Sequence, residues 1–323
     1  MAVNPSFAIY RSLPRHNTQA PSAVTIGNFD GVHLGHQSML AQVTQAAAER
    51  NVLPTVMTFE PHPRAYFAAL SKRPELIPGQ INSLRDKLQT LAHHQIRQLI
   101  LLRFNQALSS LSPEEFIHAL LVKGLNTRWL LVGEDFRYGH KRAGDVALLR
   151  QAGKRYGFEV ETIADVVDNQ GQRISSSELR TALAMGEQNR IQGLLGHPYR
   201  LSGHVIHGRK LGRSIGVPTL NIRAPQHCAA RSGVYVVQVH GLSEQPLKGV
   251  ASLGVRPTVE DHGKLLLEVH VLDADLDAYG KLACVDFLSF IRDETTFPNL
   301  SSMMTAIHED VQHAHKYFAS HGL

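Results

Sequence analysis

The chain has 323 residues, 43% hydrophobic and 19% charged, and its 33 Lys plus Arg against 28 Asp plus Glu give a formal charge of +5. At roughly 100–200 residues per domain this length predicts two domains, each with its own core, and excludes a single small module or a disordered chain. Apolar runs such as residues 99–102 and 129–132 fall far short of the ~20 residues of a membrane-spanning helix. Residues 1–13 lack the basic and apolar blocks of a secretory leader. Cys228 and Cys284 are too few for a disulfide framework, so a cytoplasmic protein is expected.

In chain order, β-rich runs at 23–26, 53–59, 97–102, 128–132 and 158–162 read as strands. Residues 35–51, 83–93, 113–123 and 145–155 read as the helices between them. Ser112, Pro113 and Glu115 supply an N-cap, a first-turn proline and a capping-box acid. This βαβα order predicts a doubly wound α/β parallel sheet covered by helices on both faces, with its ligand site at the C-terminal strand ends. A helical stretch over 177–185 follows. Beyond Gly186 and the Gly196-His197-Pro198 segment the texture changes. Short runs rich in Val, Tyr and Leu at 200–207, 233–240, 248–253, 265–272 and 282–291 predict a small closed antiparallel β-barrel. Apolar residues at helical spacing over 300–318 predict a C-terminal helix packed on it. The domains are therefore expected at 1–186 and 187–323.

The charge is unevenly distributed. Residues 188–243 hold seven basic side chains and no acid, whereas 260–294 hold nine acids and three basic residues. Such segregation suits an anionic small substrate with a metal. A nucleic-acid binder would interleave cations with aromatics, but the cations over 200–231 share their stretch with no aromatic except Tyr199 at its edge.

The run Gly27-Asn-Phe29-Asp30-Gly31-Val-His33-Leu-Gly35-His36 follows the first strand of the alternating region and enters a helix. A helix N-terminus favours phosphate through its N–H groups and dipole, and histidines at i and i+3 put two donors on one side of the first turn. They could hold an α-phosphate while an oxygen attacks and pyrophosphate leaves, which positioning and electrostatics alone can catalyse. Among 19 His the bare spacing carries no information, and it recurs at His204 and His207; the strand, the glycines and the helix single out the first pair.

On these residues the sequence resembles the bacterial bifunctional riboflavin kinase/FAD synthetases, whose first half belongs to the HxGH nucleotidyltransferases. Further matches are Thr58-Phe-Glu-Pro-His-Pro-Arg64, Val132-Gly-Glu-Asp-Phe-Arg-Tyr-Gly139 and Ile174-Ser-Ser-Ser-Glu-Leu-Arg180. The resemblance implies that His33, His36 and Arg180 bind ATP phosphates and stabilise the transition state, with Gly27, Phe29, Asp30, Gly35, Ser176 and Ser177 around the nucleotide. It also implies that Asp135 and Phe136 line a flavin pocket. Phe136 and Tyr138 suit packing of the sheet end equally well, and Arg64 suits the surface.

A second run, Gly203-His-Val-Ile-His-Gly208-Arg-Lys210-Leu-Gly212-Arg-Ser-Ile-Gly216-Val-Pro-Thr219-Leu-Asn221, is a basic glycine-rich loop able to approach phosphates. Thr219 and Asn221 alternate on an extended segment, so both oxygens can face one side and suit Mg²⁺. This run resembles the kinase half of the same family. The resemblance implies ATP contacts at Gly208, Lys210 and Gly212, metal contacts at Thr219 and Asn221, a flavin contact at Arg292, and Glu268 as the base on the riboflavin 5′-hydroxyl. The implied partners are ATP, riboflavin and FMN with Mg²⁺, and no nucleic acid, membrane or obligatory protein. Two motifs fail on spacing. His308 and His313 lie five apart rather than four, and the Asp273, Asp275, Asp277 series has Ala278 where a calcium loop needs Gly and Cys284 where it needs Glu.

Overall fold

The computed structural model describes residues 7–13, 20–207, 216–255, 265–274 and 276–323. By backbone contacts the chain forms two compact units: Ala2–Pro78 with Lys87–Ser175, and Gly79–Asp86 with Ser176–Leu323.

In the first unit, six parallel strands lie in the order β1-β4-β3-β2-β5-β6. They are β1 (Ala8–Tyr10), β2 (Ser22–Ile26), β3 (Leu53–Glu60), β4 (Gln98–Arg103), β5 (Thr127–Gly133) and β6 (Glu159–Ile163). Every residue of β2 is buried, as expected for a central parallel strand covered on both faces. The strand order reverses between β2 and β5, which makes the crevice beyond their C-terminal ends the switch point where such sheets bind ligands. The helices are α1 (Leu34–Glu49), α2 (Pro63–Leu70), α3 (Leu84–His93), α4 (Gln106–Ser109), α5 (Pro113–Phe116) and α6 (Val146–Tyr156), α3 starting in the other unit. Ser112 and Glu115 form the expected capping box of α5. The helix read over 113–123 then changes winding, since Ile117–Gly124 is a π-helix. Its Ile117, Leu120 and Leu121 join Val24, Ile26, Leu130, Val132 and Leu149 of α6 in one core cluster.

In the second unit, α7 (Ser176–Met185) and α8 (Gln188–Leu195) precede a closed barrel of order β10-β11-β8-β7-β12-β9. Its strands are β7 (Tyr199–Ile206), β8 (Leu220–Arg223), β9 (Gly233–His240), β10 (Leu247–Val255), β11 (Leu265–Val271) and β12 (Leu282–Arg292), all paired antiparallel. β11 alternates strictly: Leu265, Leu267, Val269 and Val271 are buried, while Leu266, Glu268 and His270 are half-buried. The C-terminal helix α9 (Leu300–Ser320) lays Ala314 and Phe318 on Val234, Val236 and Val250. Arg292 of β12 fastens it with a two-pronged ion pair to buried Asp310, at 2.9 and 2.7 Å. Another outward-facing group, Asp286, is buried between Arg200 and His240, bonded at 2.5, 2.6 and 3.0 Å.

Candidate active sites

The turn between β2 and α1 is bent against its own residue types. Phe29, Gly31 and Val32 have φ of 47°, 89° and 40°. Glycine tolerates this, but Phe and β-branched Val are strained there. Burial holds them, with Phe29 at 0% and Val32 at 1% exposure. Asn28 is tied from two sides: its carbonyl accepts from Lys87 Nζ at 2.8 Å and Thr58 Oγ1 at 3.2 Å.

This turn delivers His33 to the N-cap of α1, where its Nδ1 accepts from the His36 backbone N–H at 3.4 Å. An accepting Nδ1 puts the proton of neutral His33 on Nε2. The His33 and His36 rings stack with centroids 3.8 Å apart and planes 20° from parallel. Gly35 makes this close approach possible, because a Cβ there would lie 3.2 Å from the His33 ring. His36 has its pKa held well below the usual imidazole value, chiefly by burial, then by His33 and Lys87. Its Nδ1 is buried with no hydrogen-bond partner among the described residues, as expected of a site built for a polar ligand. Asp30 is also buried.

After β5, the switch point's other strand, Asp135 is exposed and pairs with Arg173 at 3.3 Å. Phe136 stacks on Tyr138, which is a core residue packed against Phe116. After β3, His62 caps α2 by accepting from Arg64 N at 3.1 Å, and Arg64 itself is exposed. Phe59, Tyr66, Phe67 and Phe104 form an edge-to-face aromatic cluster there, with Phe67 48% exposed. No motif flagged Tyr66, Phe104 or Lys87.

Ser176, Ser177 and Arg180 stand on α7 in the second unit. Arg180 donates to the Gly79 carbonyl at 2.7 Å and to the Ser176 carbonyl at 3.2 Å.

On the barrel, Glu268 lies directly opposite Asn221 across the β11–β8 ladder and opposite Ser252 across the β11–β10 ladder. Cross-strand partners share a face, with Cβ atoms roughly 5 Å apart. Asn221 is buried, and its Nδ2 donates to the Thr219 carbonyl at 3.3 Å. His270, two residues beyond Glu268, reaches the Pro218 carbonyl at 2.9 Å. Glu294 accepts from Ser252 Oγ at 3.0 Å and lies against Gly254, where any Cβ would collide with its carboxylate. Gly208, Lys210 and Gly212 lie outside the described residues. Arg292, expected at the flavin, gives its guanidinium to Asp310.

A parallel sheet with paired imidazoles on a helix N-terminus, joined to a barrel presenting a carboxylate beside hydroxyl and amide oxygens, defines a two-domain phosphate-transfer enzyme. The family model described as FAD synthetase matches residues 15–178, and that described as riboflavin kinase matches 195–318. A bifunctional riboflavin kinase/FMN adenylyltransferase of Escherichia coli K12 is 41% identical over 94% of this chain and 96% of that protein. One from Pseudomonas fluorescens is 42% identical over 89% and 90%. A crystal structure described as a macrolide-efflux protein from Streptococcus pneumoniae has a TM-score of 0.78 at 30% identity, covering 95% of this chain and 97% of that one. Among the described residues, no helix is long and apolar enough to cross a membrane.

The chain belongs to the bifunctional riboflavin kinase/FMN adenylyltransferase family. It carries both activities: phosphorylation of riboflavin to FMN, and adenylyl transfer from ATP to FMN giving FAD and pyrophosphate.

Proposed function

We propose that adenylyl transfer belongs to residues 1–186 and phosphorylation to 187–323, each resting on one observation. For adenylyl transfer it is the stacked His33–His36 pair capping α1 at the switch point. An FMN phosphate oxygen attacks the α-phosphorus, the bond to the bridging oxygen breaks, and pyrophosphate leaves. Imidazole N–H groups and the α1 N-terminus stabilise the charge that develops. Arg180, Ser176 and Ser177 are assigned to the same phosphates by their motif alone, and Gly27, Phe29, Asp30 and Gly35 form the nucleotide turn. Asp135, Phe136 and the Phe59–Phe104 cluster offer polar and aromatic contacts to the flavin.

For phosphorylation the observation is Glu268 facing Asn221. Glu268 takes the proton of the riboflavin 5′-hydroxyl as its oxygen attacks the γ-phosphorus, and ADP departs. Among the described residues no three His, Cys, Asp or Glu gather to hold a metal. Thr219 and Asn221 offer neutral oxygens, which fit Mg²⁺ as an ion that keeps its waters and shares the nucleotide's phosphates. When bound, the ion neutralises phosphate charge. Gly208, Lys210 and Gly212 would approach the same phosphates, and Arg292 serves the flavin end only if it leaves Asp310. ATP and flavins are the partners, with no nucleic acid, membrane or obligatory protein. Two cysteines, Cys228 and Cys284, are too few for a disulfide framework and suit a cytoplasmic setting.

The test is incubation with riboflavin, ATP and Mg²⁺, resolving FMN and FAD by chromatography. Glu268→Ala should abolish FMN formation and leave FAD synthesis from supplied FMN; His36→Ala should do the reverse. Loss of both activities in either variant would sink the assignment to two separate sites.

A further inference from the structure

Lys87 is a buried cation that no motif predicted. It lies in the first unit, 8% exposed, and donates its hydrogen bond to the Asn28 carbonyl at 2.8 Å. An ammonium withdrawn from water needs compensation. Here burial pulls its pKa down, while Asp30, in the middle of the same turn, and Glu60, at the end of β3, pull it up. The carbonyl it holds begins the positive-φ stretch, with Phe29 and Val32 strained, that leads into His33. Its charge is also felt at His36.

We propose that Lys87 is a positioning residue for adenylyl transfer: from α3 it pins the Asn28 carbonyl, fixing the turn that aims the His33–His36 pair. The inference builds on the assignment of that pair to adenylyl transfer. Left-handed Phe29 and Val32 cost energy, so the turn persists only where neighbours over-determine it. Thr58 Oγ1 and Lys87 Nζ do so on one carbonyl oxygen. The groups acting on His36 are His33, stacked on it, and Lys87; Phe29 is its aromatic neighbour. Both imidazoles act on phosphates through N–H donation. A cation beside them adds charge without competing for the phosphate, provided it stays anchored to the carbonyl.

Three variants separate the hydrogen bond from the charge. Lys87→Met removes bond and charge, Lys87→Gln keeps a donor without charge, and Lys87→Arg keeps the charge. FAD formation from supplied FMN is followed against pH, with FMN formation from riboflavin in the same preparations as the control for folding. In Lys87→Met the turnover number should fall about 10–100-fold, the scale of a misaimed group, with the acid limb of its pH profile moved to higher pH. Lys87→Gln should recover part of the turnover but keep the displaced limb, and Lys87→Arg should restore the limb. FMN formation should be unchanged throughout. A Lys87→Met enzyme with wild-type turnover and an unmoved acid limb would overturn the proposal. So would equal losses in all three variants with the limb unmoved, which is the signature of a structural role alone. His36→Ala, run alongside, keeps the two ideas apart. If it still makes FAD, the histidine assignment has failed; if it does not while Lys87→Met is unaffected, only the Lys87 inference has.

Discussion

At His36, burial is the largest influence on the imidazole, ahead of His33 and Lys87, and all three act against its charged form. In the unfolded chain the ring titrates near 6.5; folded, it releases its proton at a lower pH. Between those values unfolding takes up a proton, so native stability falls as pH drops from about 6.5 and the loss is complete below the folded pKa. Urea midpoints at pH 7.5 and 5.5 should therefore separate more for the wild type than for His36→Asn, and equal separations would show that His36 is not the group responsible. The pair itself was legible because glycines, strand and helix surround it. Lys87 was not, because a lysine in an amphipathic helix pattern reads as solvated, and its burial is decided by the distant turn at Asn28. Glu268 was legible only through its motif; what isolates it chemically, the facing Asn221, is a matter of barrel register.

Among elements, those that the sequence makes legible are the ones whose burial is uniform. The five expected strands of the α/β region match β2 to β6 to within one or two residues, since a strand covered on both faces is a continuous apolar run. Three-residue β1 and the short helices α2 and α8 carry too little pattern to stand out. The winding change at Ile117 is equally silent, because the apolar stripe of Ile117, Leu120 and Leu121 reads as an ordinary helix. Tyr138 marks where loop and core meet. It forms a bridge with Gly144, and a Cβ at Gly144 would stand 2.5 Å from its ring. The ring packs against both Phe116 and Phe136. Gly144→Ala should thus cost about 1–3 kcal/mol as an overpacking change. The single tryptophan, buried Trp129 on β5, provides the probe: its fluorescence midpoint in urea should fall, and an unchanged midpoint would mean that the loop yields instead.

Across the whole molecule, the change of texture near Gly186 suggests a boundary there, and a segment from the middle of the first half, Gly79–Asp86, packs within the barrel's unit. Gly79–Asp86 supplies partners that the barrel sequence lacks. The buried Tyr199 hydroxyl donates to the Ile81 carbonyl at 2.7 Å, Ser202 bonds the Asp86 carboxylate through its hydroxyl and backbone N–H, and Gln80 exchanges backbone bonds with His227 and Ala229. Nothing local marks such a segment in sequence, because its role is defined by residues more than 100 positions away. A fragment cut to residues 187–323 would keep Glu268, Asn221 and Thr219 but leave Tyr199 and Ser202 without these acceptors. Each buried polar group so stranded costs about 1–3 kcal/mol, against a total stability of about 5–15 kcal/mol for a domain. Such a fragment should still form FMN from riboflavin but lose that activity on heating at a lower temperature than the intact chain. Equal inactivation temperatures would show that water replaces the lost acceptors without penalty, and that Gly79–Asp86 contributes nothing to the kinase half.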